Sequence, residues 1–92
     1  MTTSEQTIYK FAQHYIANPR IIRSTRGTNM TAINLGMYHL EISNSDDSPT
    51  IFCDVYHHYD HLGSFIEKDI ERLHTQVDDT LTAHYEQRKQ TA

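Results

Sequence analysis

The chain has a single cysteine, Cys53, no tryptophan, two prolines and three glycines among 92 residues. One cysteine cannot form an intrachain disulfide, so a disulfide scaffold is excluded. The glycines stand at positions 27, 36 and 63, too scattered to build a glycine-rich phosphate loop. No HExxH, paired CxxC or nucleophile elbow is present. No stretch approaches the ~20 apolar residues that a membrane-spanning helix needs. The opening MTTSEQTIYK has no basic region leading into an apolar one, so it does not read as a secretion signal. A small, soluble, cytoplasmic protein is expected. At this length one compact domain, residues 1–92, is the default. Such a chain buries only ~60–65% of its unfolded surface, which leaves a thin stability margin and excludes an enzyme with a cofactor domain of its own.

Charge is present but unevenly placed. The formal net charge is −4. Residues 1–44 hold four Lys and Arg against two acids, whereas residues 45–92 hold four against ten. A chain polarised in this way can turn one face to an anion and another to a basic protein surface; ordinary solvated faces are the plainer reading.

The apolar pattern orders the elements. Ile8, Phe11, Ala12, Tyr15 and Ile16 recur at helical spacing, predicting a helix over residues 4–17, with Thr3 and Gln6 as a capping box and Asn18-Pro19 as its stop. The β-branched Ile21 and Ile22 predict a strand over 20–25, followed by a turn at Gly27. Over 30–43, Ile33, Leu35 and Met37 alternate in one phase, and Tyr38, Leu40 and Ile42 in the other. A bulge beside Gly36 within one long strand is the favoured explanation, and two strands the alternative. The polar segment 44–49 reads as a hairpin loop into a strand over 50–57, with Ile51, Cys53, Val55 and His57 on one side and Phe52, Asp54 and Tyr56 on the other. Leu62, Phe65, Ile66, Ile70, Leu73, Val77, Leu81 and Tyr85 make a stripe that predicts a helix over 61–87, capped by Asp60 or Ser64. At roughly 40 Å that helix would outrun its core, and the tail 88–92 is expected to fray. The fold class expected is α+β: an N-terminal helix, a three-stranded antiparallel sheet and a long C-terminal amphipathic helix.

Three groups of residues carry candidate chemistry. Between Cys53 and His61 lie three histidines, two aspartates and the cysteine; His57, His58 and His61 suit a zinc site in residue type. A strand end beside a helix start explains the same residues without metal, so no metal, cofactor or catalytic residue is assigned. Cys53, alternating with Ile51 and Val55, is expected in the core. Arg20, Arg23 and Arg26, with Lys10 on the preceding helix, form the basic group. On one strand Arg20 and Arg26 would share a face and Arg23 the other. Such a group can grip phosphates or acidic side chains, or simply protect a sheet edge. Tyr38, Tyr56 and Tyr59 are expected to crowd one side of the sheet, and tyrosine is favoured at interfaces. Arg20, Arg23, Arg26, Lys10 and Tyr59 are accordingly the expected partner-binding residues. Val77, Leu81 and Tyr85 could instead pair with a second copy in a small dimeric regulatory protein, although a monomer is expected over a dimer.

The opening MTTSEQTIYKFAQHYIANPRIIRSTRG, with the closing amphipathic helix, resembles the phage-encoded anti-CRISPR proteins, in particular those directed at the type I-F surveillance complex. The resemblance extends along the whole chain and rests on no shared motif, so no functional residue is transferred by it. It implies a non-enzymatic, stoichiometric inhibitor in the host cytoplasm. Its partners would be the Cas proteins of a crRNA-guided complex, with possible contact to the crRNA, and its effect would be to block target DNA recognition.

Overall fold

The computed structural model describes residues 1–91. Its elements run α1 (Thr3–Ala12), β1 (Ile22–Arg23), β2 (Thr28–Leu35), β3 (Tyr38–Ser45), β4 (Ser48–His57), β5 (Asp60–Glu67) and α2 (Ile70–Thr91). The strands form a single antiparallel sheet in the order β1-β2-β3-β4-β5, each beside its neighbour in the chain. Both helices lie on one face, α1 against β2 and β3, α2 against β5 and β4. The class is α+β, but the sheet has five strands where three were expected.

Two misread segments account for the difference. The phase change beside Gly36 is a hairpin and not a bulge: Leu35 pairs with Tyr38 across the two-residue connection Gly36-Met37. Gly36 has φ +69, the left-handed conformation that tight hairpins place on glycine. Residues 60–67 are a strand, not the first turns of a helix. Tyr56 pairs with His61 but Val55 pairs with Gly63, so Leu62 is an extra residue in β5. That bulge shifts the alternation by one. Leu62 and Phe65 therefore both pack on the core, giving the three-residue spacing that a helix also produces. Neither Asp60 nor Ser64 caps a helix. Asp69 does, its carboxylate accepting from the backbone N–H of Glu71 (2.9 Å) and of Arg72 (3.3 Å).

The N-terminal helix is shorter than 4–17. Its cap is Thr2 with Glu5, in a complete capping box, not the Thr3 and Gln6 expected one residue later. Beyond Ala12 the chain continues as turns, with Tyr15 and Ile16 N–H groups both donating to the Ala12 carbonyl. Of the strand expected over 20–25, only Ile22–Arg23 pairs with β2. The hairpin at 44–49 is present, with Ser45 opposite Ser48 and a register shift between Ser43 and Ser45 beside Pro49.

The core lies between the helices and the inner face of the sheet: Ile8, Phe11 and Ala12 from α1, Ile33, Leu40, Ile42, Ile51, Cys53 and Val55 from the strands, Leu73 and Val77 from α2. Cys53 is in the core as expected, and burial pushes its thiol up to about 12. Leu81 packs against the same cluster, so Val77 and Leu81 are covered within the chain and need no second copy. Helix α2 has 22 residues, about 33 Å, and continues through Arg88 to Thr91; Ala92, the end of the tail expected to fray, lies outside the described residues. No helix among them is long and apolar enough to cross a membrane.

Two turn glycines make a comparison. Gly36 has open space around the position of a Cβ, so Gly36→Ala is expected to cost about 1 kcal/mol, from the left-handed backbone alone. Gly27, at φ +82, would set its Cβ 2.8 Å from Asp46 Oδ2. That carboxylate is held by Arg23 and Ser4, so Gly27→Ala is expected to cost about 2 kcal/mol, backbone strain plus a displaced ion pair. Urea denaturation of the two variants checks the order; equal losses would show that Asp46 moves freely.

Candidate functional site

Side chains alternate between the two faces of a strand. With the helices on the inner face, every second residue of β2 to β5 projects from a face that nothing in the described chain covers. Cross-strand register gathers these residues into three rows. The first is Asn34, His39, Tyr56 and His61; the second Ala32, Glu41, Asp54 and Ser64; the third Met30, Ser43, Phe52 and Ile66, extended to β1 by Ile22. Apart from Ser43 at its centre the third row is apolar, yet open: Ile22 is 68% exposed, Met30 55%, Phe52 45% and Ile66 63%.

The first two rows are joined by hydrogen bonds. His39 Nδ1 lies 2.9 Å from Asn34 Oδ1 and its Nε2 3.5 Å from Glu41 Oε1. His61 Nε2 lies 3.1 Å from Asp54 Oδ1 and 3.0 Å from Ser64 Oγ, and that hydroxyl also donates to Asp54. The Tyr56 ring stands between the two histidines, its centroid 5.9 Å from His39 and 5.1 Å from His61. Burial, and then the Glu41 and Asp54 carboxylates, hold its phenol above the ordinary value. Two hollows lie on this face. One, of about 490 Å³, is bordered by Asn34, His39, Glu41, Tyr56, His58 and Tyr59 among others. The second, of about 240 Å³, spans from Ile22 and Met30 to Glu41 and Asp54.

The expected partner-binding residues are dispersed. Tyr59 is fully exposed at the β4–β5 hairpin tip, on the rim of the larger hollow. Its neighbour His58 takes φ +54 and donates its N–H to the Met37 carbonyl of the adjacent hairpin. Lys10 is exposed in the last turn of α1. Arg20 and Arg26 are exposed but fall outside β1, so strand alternation does not relate them as expected. Arg23 serves its own chain: it donates to Asp46 through both terminal nitrogens and to Asn29 Oδ1 at 3.0 Å, with Glu5 at 3.9 Å. Asn29 in turn donates to Asn44 Oδ1 and Ser4 Oγ, and Asn44 to the Ser4 carbonyl. The network satisfies two buried amides and ties α1 to the β1–β2 and β3–β4 turns.

Arg23 and Ser4 hold the Asp46 carboxyl down at about 2. The carboxylate therefore stabilises the fold above the ordinary carboxylate range, and this is lost as pH falls from about 4 toward 2. Because both side chains are partly solvated, a double-mutant cycle of Arg23→Ala and Asp46→Ala at neutral pH is expected to return a small favourable coupling that shrinks in 1 M salt. Zero coupling at low salt would remove Arg23 from the list of structural residues.

The histidine-rich segment is divided by the sheet. His57 faces α2, packed 4.6 Å from the His84 ring, and Arg88 donates to its Nε2. His61 is on the open face and His58 in the turn. Among the described residues no group of three His, Cys, Asp or Glu is placed to hold a metal ion. The residues that sequence reasoning did not single out are Ile22, Met30, His39, Glu41 and Ile66. Their signal was the outward phase of each strand, readable only once the hairpins at 36–37 and 58–59 are placed.

Comparison of the chain with protein-family models, curated proteins and solved structures gave no match.

Proposed function

We propose that the chain is a small non-enzymatic inhibitor that works by occupying a partner's surface, of the anti-CRISPR kind directed at a type I-F surveillance complex in the host cytoplasm. One observation supports the surface-occupying reading most: a five-stranded sheet with one face left uncovered, carrying four exposed large apolar side chains on either side of Ser43 along one cross-strand row. Contiguous exposed apolar surface rimmed by polar groups marks interaction sites. The resemblance of the opening segment and closing helix supplies the choice of complex. Arg20, Arg26, Lys10 and Tyr59, all exposed, are the residues available for crRNA phosphate or acidic side chains.

The test is capture of the purified surveillance complex by the tagged chain, followed by a target-DNA binding assay at rising inhibitor ratio. Co-elution and loss of DNA binding near stoichiometric addition are the expected results. Neither capture nor competition would end the proposal.

A further inference from the structure

We propose that the open face of the sheet docks a protein segment combining Lys or Arg with apolar side chains, the cations over Glu41 and Asp54 and the apolar groups along Ile22, Met30, Phe52 and Ile66. This rests on the reading of the chain as a binding protein and names the chemistry of what it binds.

The argument begins with register. Glu41 and Asp54 are direct cross-strand partners in the two central strands of the face. Directly opposed side chains have Cβ atoms ~4.5–5.5 Å apart, and like charges there oppose pairing. None of the residues in the three rows is Lys or Arg. The groups that meet these carboxylates across the face are His39, His61, Ser64 and the Tyr56 ring, and the histidines carry charge only when protonated. A pair of opposed carboxylates without a permanent cation is complementary to a cationic side chain, which would make charge-assisted hydrogen bonds to both.

The apolar row lies one i,i+2 step along the strands, ~7 Å from the acidic one. It crosses five strands, about 19 Å between the outermost, the rise of some three and a half helical turns. An amphipathic segment with basic side chains flanking its apolar stripe fits both rows at once. The same charges weigh against other occupants. A nucleic-acid backbone would set phosphates against Glu41 and Asp54. A second copy placed face to face would bring four carboxylates together.

Panning a random library of 16-residue displayed peptides against the full chain, at neutral pH and ~0.15 M ionic strength, tests this. The expected peptides are cationic and apolar. Their affinity should fall roughly tenfold with Glu41→Gln/Asp54→Asn, the loss of charge-assisted bonds, and again with Phe52→Ser, the loss of apolar contact. The two variants alter different rows of an uncovered face, and circular dichroism reports whether each is folded. Recovery of acidic peptides, or affinities unchanged in both folded variants, would overturn the proposal. So would a single-stranded RNA probe that displaces the peptides, or self-association through this face. Surveillance-complex capture by Glu41→Gln/Asp54→Asn separates the two proposals. If wild type and variant are captured equally, the docking face is wrong and the inhibitor reading stands. If the face binds cationic peptides while wild type captures no complex, the inhibitor reading alone fails.

Discussion

Phe11→Ala is expected to remove a fifth or more of the protein's stability. The Phe11 side chain is fully buried, in contact with the sheet through α1 and edge-on to Tyr15 with ring centroids 5.6 Å apart. Truncating a buried Phe costs about 3–5 kcal/mol, the lost transfer energy plus a cavity that neighbours fill only in part. A domain of this size holds roughly 5–14 kcal/mol in total. The loss extends beyond the side chain, because α1 has only ten residues, and an isolated helix shorter than ~12–15 residues is marginal in water. Its order is borrowed from the packing that Phe11 anchors. A fall in melting temperature of roughly 20 °C is expected, followed by circular dichroism and checked by urea denaturation. Phe52→Ala on the open face supplies the contrast. Its ring is nearly half exposed, so it is expected to cost under about 1 kcal/mol. If the two variants lost equal stability, the assignment of inner and outer faces would be wrong.

The second large effect is on the pH dependence of α2 docking. His57 is held below its ordinary value of 6.5, by burial first and then by Arg88, His58 and His84, with Asp60 acting in the opposite direction. Tyr38 completes the surroundings, its ring 5.1 Å from His57 and its hydroxyl 2.9 Å from His84 Nδ1. The folded chain keeps His57 neutral where the unfolded chain protonates it. The unfolded state therefore binds more protons below about pH 6.5, and stability erodes as pH falls through that value. Above it, His57 contributes no pH dependence. Urea midpoints between pH 8 and pH 5 should decline on the acid side, with amide exchange in the last turns of α2 accelerating first, since Arg88 and His84 are the groups a charged His57 would repel. His57→Gln, which takes up no proton, should flatten that slope. An unchanged slope in the variant would place the acid sensitivity elsewhere.

How far the sequence could be read differs from element to element. The strand expected over 50–57 was legible because its alternation is unbroken: Ile51, Cys53, Val55 and His57 are buried while Phe52, Asp54 and Tyr56 face outward, and β4 begins two residues earlier, at Ser48. The helix start at Thr2 was legible within one residue because a capping box is a contact between neighbours. Residues 60–67 were misread because one extra residue, Leu62, makes a bulged strand imitate the spacing of a helix. Residues 30–43 were misread because a two-residue hairpin and a bulge change phase in the same way. Arg23 was grouped with Arg20 and Arg26 by sequence proximity, whereas its partner Asp46 lies 23 residues away.

The sequence by itself determined what depends on neighbours along the chain: an α+β composition of elements, the hairpin at 44–49, the burial of Cys53, and the amphipathic stripe that α2 lays on the core. Tertiary structure decided what depends on register across strands. It set five strands in place of three and divided His57 from His61 onto opposite faces. It drew Arg23 into a structural network, and it brought Glu41 opposite Asp54 beside a row whose apolar side chains come from β1, β2, β4 and β5. The physical reason is that alternation and capping are settled within a few residues, while a row across a sheet exists only after each turn has chosen its length, and a single added residue moves every side chain beyond it to the other face.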